Sequence, residues 1–144
     1  MLDSGVYRKG SFDITDILSD FLAKEMPKDA GGVVTFLGVA RNIGIEERTV
    51  ERVAMESYED HANRVIRDIC VEVIQKHQIS VLKIYHFVGE FNIGEAMVFV
   101  IAVGRHRQET FAAIQEAIER YKTEPALFKK EIYVDGSQEW ISHA

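Results

Sequence analysis

The chain has 144 residues, 47% hydrophobic and 28% charged, with 17 Lys+Arg against 23 Asp+Glu and a formal net charge of -6. That is enough chain to bury a sizeable core as one domain, 1–144, and the acidic balance speaks against the basic footprint of general nucleic-acid binding. One cysteine, Cys70, excludes an intramolecular disulfide and a thiolate zinc cluster, and no apolar run approaches the ~20 residues of a membrane span.

In chain order, Met1-Leu2-Asp3-Ser4-Gly5 has neither a basic nor an apolar signal-like region, so the cytoplasm is the expected location. A short strand is expected over Val6–Phe12. Asp13 reads as an N-cap, and Ile14, Ile17, Leu18, Phe21 and Leu22 keep helical spacing to about Lys24. Gly31-Gly32 is internal and reads as a turn, and Val33–Leu37 as a buried strand. Residues 40–48 are polar and read as a loop; 50–58 alternate weakly as a strand. Glu59–His77 is the clearest amphipathic helix, with Ala62, Val65, Ile66, Ile69, Val73 and Ile74 on one stripe. Ile79–Phe87 is expected as a strand, Gly89–Gly94 as a turn, and Ala96–Val103 as a fully buried central strand. A second long helix spans Arg107–Lys122, Pro125 ends it, and Leu127–Val134 returns as a strand. The order β-α-β-β-α-β-β-α-β implies an α+β fold, a mixed sheet with helices on one face.

Chemistry concentrates in two basic segments that run against the acidic background: Arg105-His106-Arg107, and Lys122 with Lys129-Lys130. Most lysines are solvated surface residues. Here, however, Lys129 and Lys130 alternate in a strand, so one points across the sheet and the other away. Lys122 ends a helix just before the turn into that strand. His106 and Arg107 open the same helix, where backbone N–H groups and the dipole favour an anion. His106 and Lys122 are separated by some 24 Å at ~1.5 Å per residue, too far to share one small ligand within a chain. Either they serve different sites or a symmetric dimer brings them together, and the dimer is preferred. Arg41-Asn42, after the strand and Gly38, is a further candidate at a strand end. The histidines His61, His77, His86, His106 and His143 form no ligand-like pattern, so no metal site is expected. Cys70 reads as a buried, inert thiol. No nucleophile elbow, Walker-type loop or Gly-x-Gly-x-x-Gly occurs.

Taken together, Gly32-Val33-Val34-Thr35-Phe36-Leu37-Gly38-Val39-Ala40-Arg41-Asn42, Met55-Glu56-Ser57-Tyr58, Val88-Gly89-Glu90, His106-Arg107, and Ile118-Glu119-Arg120-Tyr121-Lys122 leading into Pro125-Ala126-Leu127-Phe128-Lys129-Lys130-Glu131 resemble the large, catalytic subunit of molybdopterin synthase. The resemblance runs from about Gly31 to Trp140. It implies an α/β hammerhead with a small additional β subdomain. It also implies a homodimer within a heterotetramer, with a small ubiquitin-like sulfur-carrier subunit ending in Gly-Gly. The implied activity moves sulfur from the carrier's thiocarboxylate to cyclic pyranopterin monophosphate, and two transfers form the dithiolene of molybdopterin. No cofactor is implied.

By resemblance, Lys122 and Lys129 are the catalytic candidates. Val39, Ala40, Arg41, His106, Arg107, Lys130 and Glu131 join them as substrate-binding positions, and Phe36 is an apolar pocket wall. Sulfur chemistry without a reactive cysteine is intelligible if the sulfur arrives on the partner. Tyr121, Glu119 and Phe128 stand where the family more often has leucine, aspartate and tryptophan. The competing reading is a non-catalytic module that holds a phosphorylated ligand or a ubiquitin-like partner.

Overall fold

The computed structural model describes residues 1–141; His143 lies outside them. Two long helices form the first layer. α2, Glu59–His77, buries Ala62, Ile66, Ile69, Cys70 and Val73 and ends where Gln78 turns left-handed at φ 55°. α3, Arg107–Tyr121, buries Thr110, Ala113, Ile114, Ala117 and Tyr121. Its start is pinned by the Glu109 carboxylate, which accepts from the His106 N–H at 2.7 Å. Lys122 is the C-cap, as the placement of Pro125 implies.

The sheet has seven strands: β1 Gly5–Arg8, β2 Gly32–Val39, β3 Val50–Ser57, β4 Val81–Asn92, β5 Ala96–Gly104, β6 Leu127–Tyr133 and β7 Gln138–Ile141. Their order is β2-β5-β4-β3-β6-β7, all antiparallel, with β1 added parallel to β4. β5 is the buried strand that its apolar run implies: Val100, Ile101, Ala102 and Val103 are fully buried. Val98, Val100 and Ala102 face α2 and α3. Phe99, Ile101 and Val103 face the other way, against Phe21. Each of these valine, isoleucine and phenylalanine side chains contributes roughly 1.5–3 kcal/mol on burial, so β5 anchors the two layers.

The α+β class with a mixed sheet is as expected, with one amendment to the single helical face. α1, Ile14–Lys24, packs Phe21 on the face opposite α2 and α3. It is capped by Asp13, whose carboxylate accepts from the Thr15 N–H at 2.9 Å. The physical reason is that β5 is apolar on both sides and needs cover on both.

Four strands differ from expectation: β1 stops at Arg8, short of Phe12, β7 has no counterpart among the expected strands, and β4 and β2 differ in extent and cover. β4 runs through Gly89 instead of ending before it. Residues 81–86 pair with β5 and 89–92 pair with β3. Gly89, at φ 132°, lies where the strand changes partners, a conformation that side chains rarely adopt. From there β3, β6 and β7 build the smaller β unit, with its own core of Val53, Met55, Phe87, Phe91 and Tyr133. β2 is an edge strand paired only to β5, and Leu37 and Val39 are 48% and 46% exposed. The expected buried strand is therefore half-exposed. The loop expected over 40–48 runs from 40 to 49, with a 3-10 turn at Ile45–Glu47. No described helix is long and apolar enough to cross a membrane.

Candidate active site

The junction of the two β units leaves a cleft below the C-terminal end of α3. It encloses about 470 Å³ and is lined by residues from β2, β3, β4, β5, β6 and the α3 terminus. Alternation along β6 turns Lys129 into this cleft and Lys130 away from it. Lys130 Nζ instead lies 5.3 Å from the centre of the Trp140 ring. Lys129 sits opposite Met55 of β3, another lining residue. Lys122 reaches the same cleft from the end of α3, and Arg41 from the loop after β2. Ala40, fully buried, fixes that loop: its N–H donates to the Glu95 carbonyl at 3.0 Å, and its carbonyl accepts from the Gly94 N–H at 2.7 Å. Phe36 and Val39 line the cleft from β2.

Three cations therefore converge without a facing carboxylate among the lining residues. Glu131 lies behind them, 5% exposed, accepting from the Ile45 N–H at 3.1 Å and the Tyr133 hydroxyl at 2.8 Å. Its other oxygen is 4.0 Å from Lys129 Nζ. The Lys129 pKa is held below that of an ordinary lysine, first by desolvation and then by the like charges of Arg41 and Lys122; Glu131 opposes the shift. Such a lysine gives up its proton more readily than a surface one, as a proton-transfer group requires.

Of the positions named from sequence, Phe36, Val39, Arg41, Lys122 and Lys129 share the cleft. His106 and Arg107 do not. They are exposed at the opposite end of α3, where His106 Nδ1 lies 3.1 Å from Glu109. A second hollow of about 550 Å³ shares Lys122, Leu127 and Ile141 with the first and continues past Pro125 to Phe128 and Trp140. Lys122 thus borders both spaces. His86 and Tyr121, neither of which the sequence marks as a site residue, also line the cleft. His86 shares its face of β4 with Leu82 and Ile84, a register that marks it as facing the helices. Among the described residues, no cluster of His, Cys, Asp or Glu could hold a metal. Cys70 is buried, with its thiol pKa raised by desolvation.

A sequence profile of the MoaE protein family matches residues 8–124. The chain belongs to this family. It is 36% identical over 128 residues to the molybdopterin synthase catalytic subunit of Bacillus subtilis, covering 88% of this chain and 80% of the relative. The fold matches molybdopterin synthase from Staphylococcus aureus with a TM-score of 0.85 at 24% identity, over 99% of both chains. It also matches a complex of subunits 1 and 2 of the molybdopterin-converting factor from Helicobacter pylori, with a TM-score of 0.73 at 18% identity, over 94% of this chain and 88% of that one. Membership in the MoaE family gives the chain an enzymatic role in molybdenum cofactor biosynthesis.

Proposed function

We propose that the cleft is the sulfur-transfer site, at which a carrier's C-terminal thiocarboxylate meets cyclic pyranopterin monophosphate. The observation that carries this reading is the convergence of Lys122, Lys129 and Arg41 on one cavity. Both reactants are anions, and charge-assisted hydrogen bonds from such cations are the strong ones. Lys122, which borders both hollows, donates to the thiocarboxyl oxygen as negative charge develops there. Lys129, with its depressed pKa, moves the proton and holds the pterin intermediate. Glu131 positions Lys129, Arg41 takes the phosphate, and Phe36 and Val39 supply an apolar wall.

The carrier's tail approaches through the hollow past Phe128 and Trp140. The two-subunit complex from H. pylori, which shares this fold, supports a partner of that kind. His106 and Arg107 act from the neighbouring protomer of a homodimer. A cytoplasmic place of action belongs to this reading and rests on the family alone.

The test supplies thiocarboxylated carrier and the cyclic pterin and measures dithiolene product. Lys122→Ala should lower the rate by about 10²–10³-fold, the usual loss on removing one oxyanion donor. Wild type without product, as a pure binding module would behave, or undiminished product from Lys122→Ala, overturns the assignment.

A further inference from the structure

Two polar side chains in the cleft are not used by that chemistry. His86 is 5% exposed and Tyr121 3%, and both line the cavity. Their rings meet edge to face, 5.7 Å apart at 72°. His86 Nδ1 lies 3.0 Å from the Phe87 carbonyl oxygen. A carbonyl only accepts, so Nδ1 carries the proton. Burial lowers the His86 pKa to about 4, so the ring is neutral and Nε2 is left as a lone-pair acceptor. Burial also keeps the Tyr121 hydroxyl protonated, and therefore a donor.

Neither Nε2 nor the hydroxyl has a partner within the described residues. Among the described residues no enclosed side-chain polar atom lacks one, which places both atoms against open space. The space that both side chains border is the cleft. Packing alone does not account for this pair. A phenylalanine or leucine would fill the position of Tyr121 without desolvating a hydroxyl, and buried tyrosine hydroxyls normally find a partner.

We propose that the Tyr121 hydroxyl and His86 Nε2 form an uncharged donor–acceptor pair that reads the amide-like edge of a fused nitrogen heterocycle, a C=O beside an N–H, while Arg41, Lys122 and Lys129 take the ligand's anionic part. This deepens the sulfur-transfer reading and rests on its assignment of a phosphorylated pterin to the cleft. It divides the cavity into a cationic portion that is blind to the ring and a neutral portion that recognises it. The hydroxyl is a property of this chain, since Tyr121 stands where leucine is usual in the resemblance.

The test is equilibrium binding to the full chain of two probes: neopterin monophosphate, which has ring and phosphate, and inorganic pyrophosphate, which has charge alone. Tyr121→Phe and His86→Asn should each weaken neopterin monophosphate by about five- to tenfold, the loss of one hydrogen bond. Pyrophosphate affinity should stay within about twofold, because the cations are untouched. His86→Asn keeps an amide N–H for the Phe87 carbonyl and loses only the group facing the cleft. His86→Gln, which extends an amide to the place of Nε2, should recover most of the affinity. Intact pterin affinity in Tyr121→Phe and His86→Asn overturns the pair, and so does an equal loss for both probes. The two readings fail separately. Undiminished product from Lys122→Ala removes the catalytic assignment alone, whereas wild type that binds pyrophosphate but no pterin removes the ligand on which both depend.

Discussion

The Lys129 side chain keeps only 15% of its exposure, and among the described residues Glu131 at 4.0 Å is its one nearby counter-charge. Desolvation and the repulsion of Arg41 and Lys122 outweigh that attraction, which is why its pKa falls. A lysine whose folded pKa lies below its unfolded value penalises the folded state fully below the folded pKa. The penalty fades as pH rises between the two and is gone above the ordinary value of 10.5. Lys129→Met, apolar and of similar length, should therefore stabilise the protein at neutral pH while abolishing turnover. A gain on the order of 1 kcal/mol is typical when a functional polar residue is removed, worth about 2–4 °C in a chain of this size. Thermal unfolding of wild type and variant from pH 7 to 10 checks this: the gap should be widest at pH 7 and close toward pH 10. A variant less stable than wild type at pH 7 would show that Glu131 needs Lys129 more than the cleft resents it.

At the scale of elements, the cleft depends on how β2 lies against β5. Gly38 pairs with Val98, and both line the cavity. A Cβ at position 38 would fall 2.6 Å from Val98 Cγ1 and 3.3 Å from Phe36 Cε2, so one of these walls must move. Gly38→Ala should cost about 1–3 kcal/mol, as overpacking does. It should also raise KM for the pterin more than it lowers kcat, because the lysines come from other elements. Steady-state kinetics separates the two, and an unchanged KM would show that this wall does not touch substrate. The same strands show how much was legible. α2 stands where the sequence places it, since a full apolar stripe leaves one solution. β2 and β4 were harder. Val33-Val34-Thr35-Phe36-Leu37 has the composition of a buried strand, but edge or interior is decided by pairing, which composition does not encode. Gly89 serves equally for a turn or for a strand changing partners, and only register distinguishes them. β7, Gln138–Ile141, is mostly exposed and has no apolar alternation. It is a strand because β6 offers an edge. In the site, the basic residues stood out against an acidic chain, whereas His86 and Tyr121 look like core until the cavity beside them is seen.

Across the whole molecule, the basic residues divide into two groups that one chain cannot unite. Lys122 and Lys129 face the cleft, while His106 and Arg107 sit exposed at the far end of α3, a 15-residue helix. His106 and Lys122, its two caps, are sixteen residues apart, so at ~1.5 Å per residue they stand roughly 24 Å apart, and a rigid helix allows no closure between them. If both serve one substrate, the second set must come from another protomer. A two-fold axis then makes two such composite sites in every dimer. The consequence is arithmetic. Lys122→Ala and His106→Ala homodimers are each defective at both sites. Mixing them after reversible dissociation gives half mixed dimers at random pairing. Each mixed dimer carries one site with both lesions and one with neither, so roughly a quarter of wild-type turnover should return. A pair of lesions from the same group, Lys122→Ala with Lys129→Met, leaves no intact site in any pairing and should restore nothing. Recovery only in the first mixture establishes the shared site. No recovery in either returns His106 and Arg107 to the solvated surface that their exposure otherwise suggests.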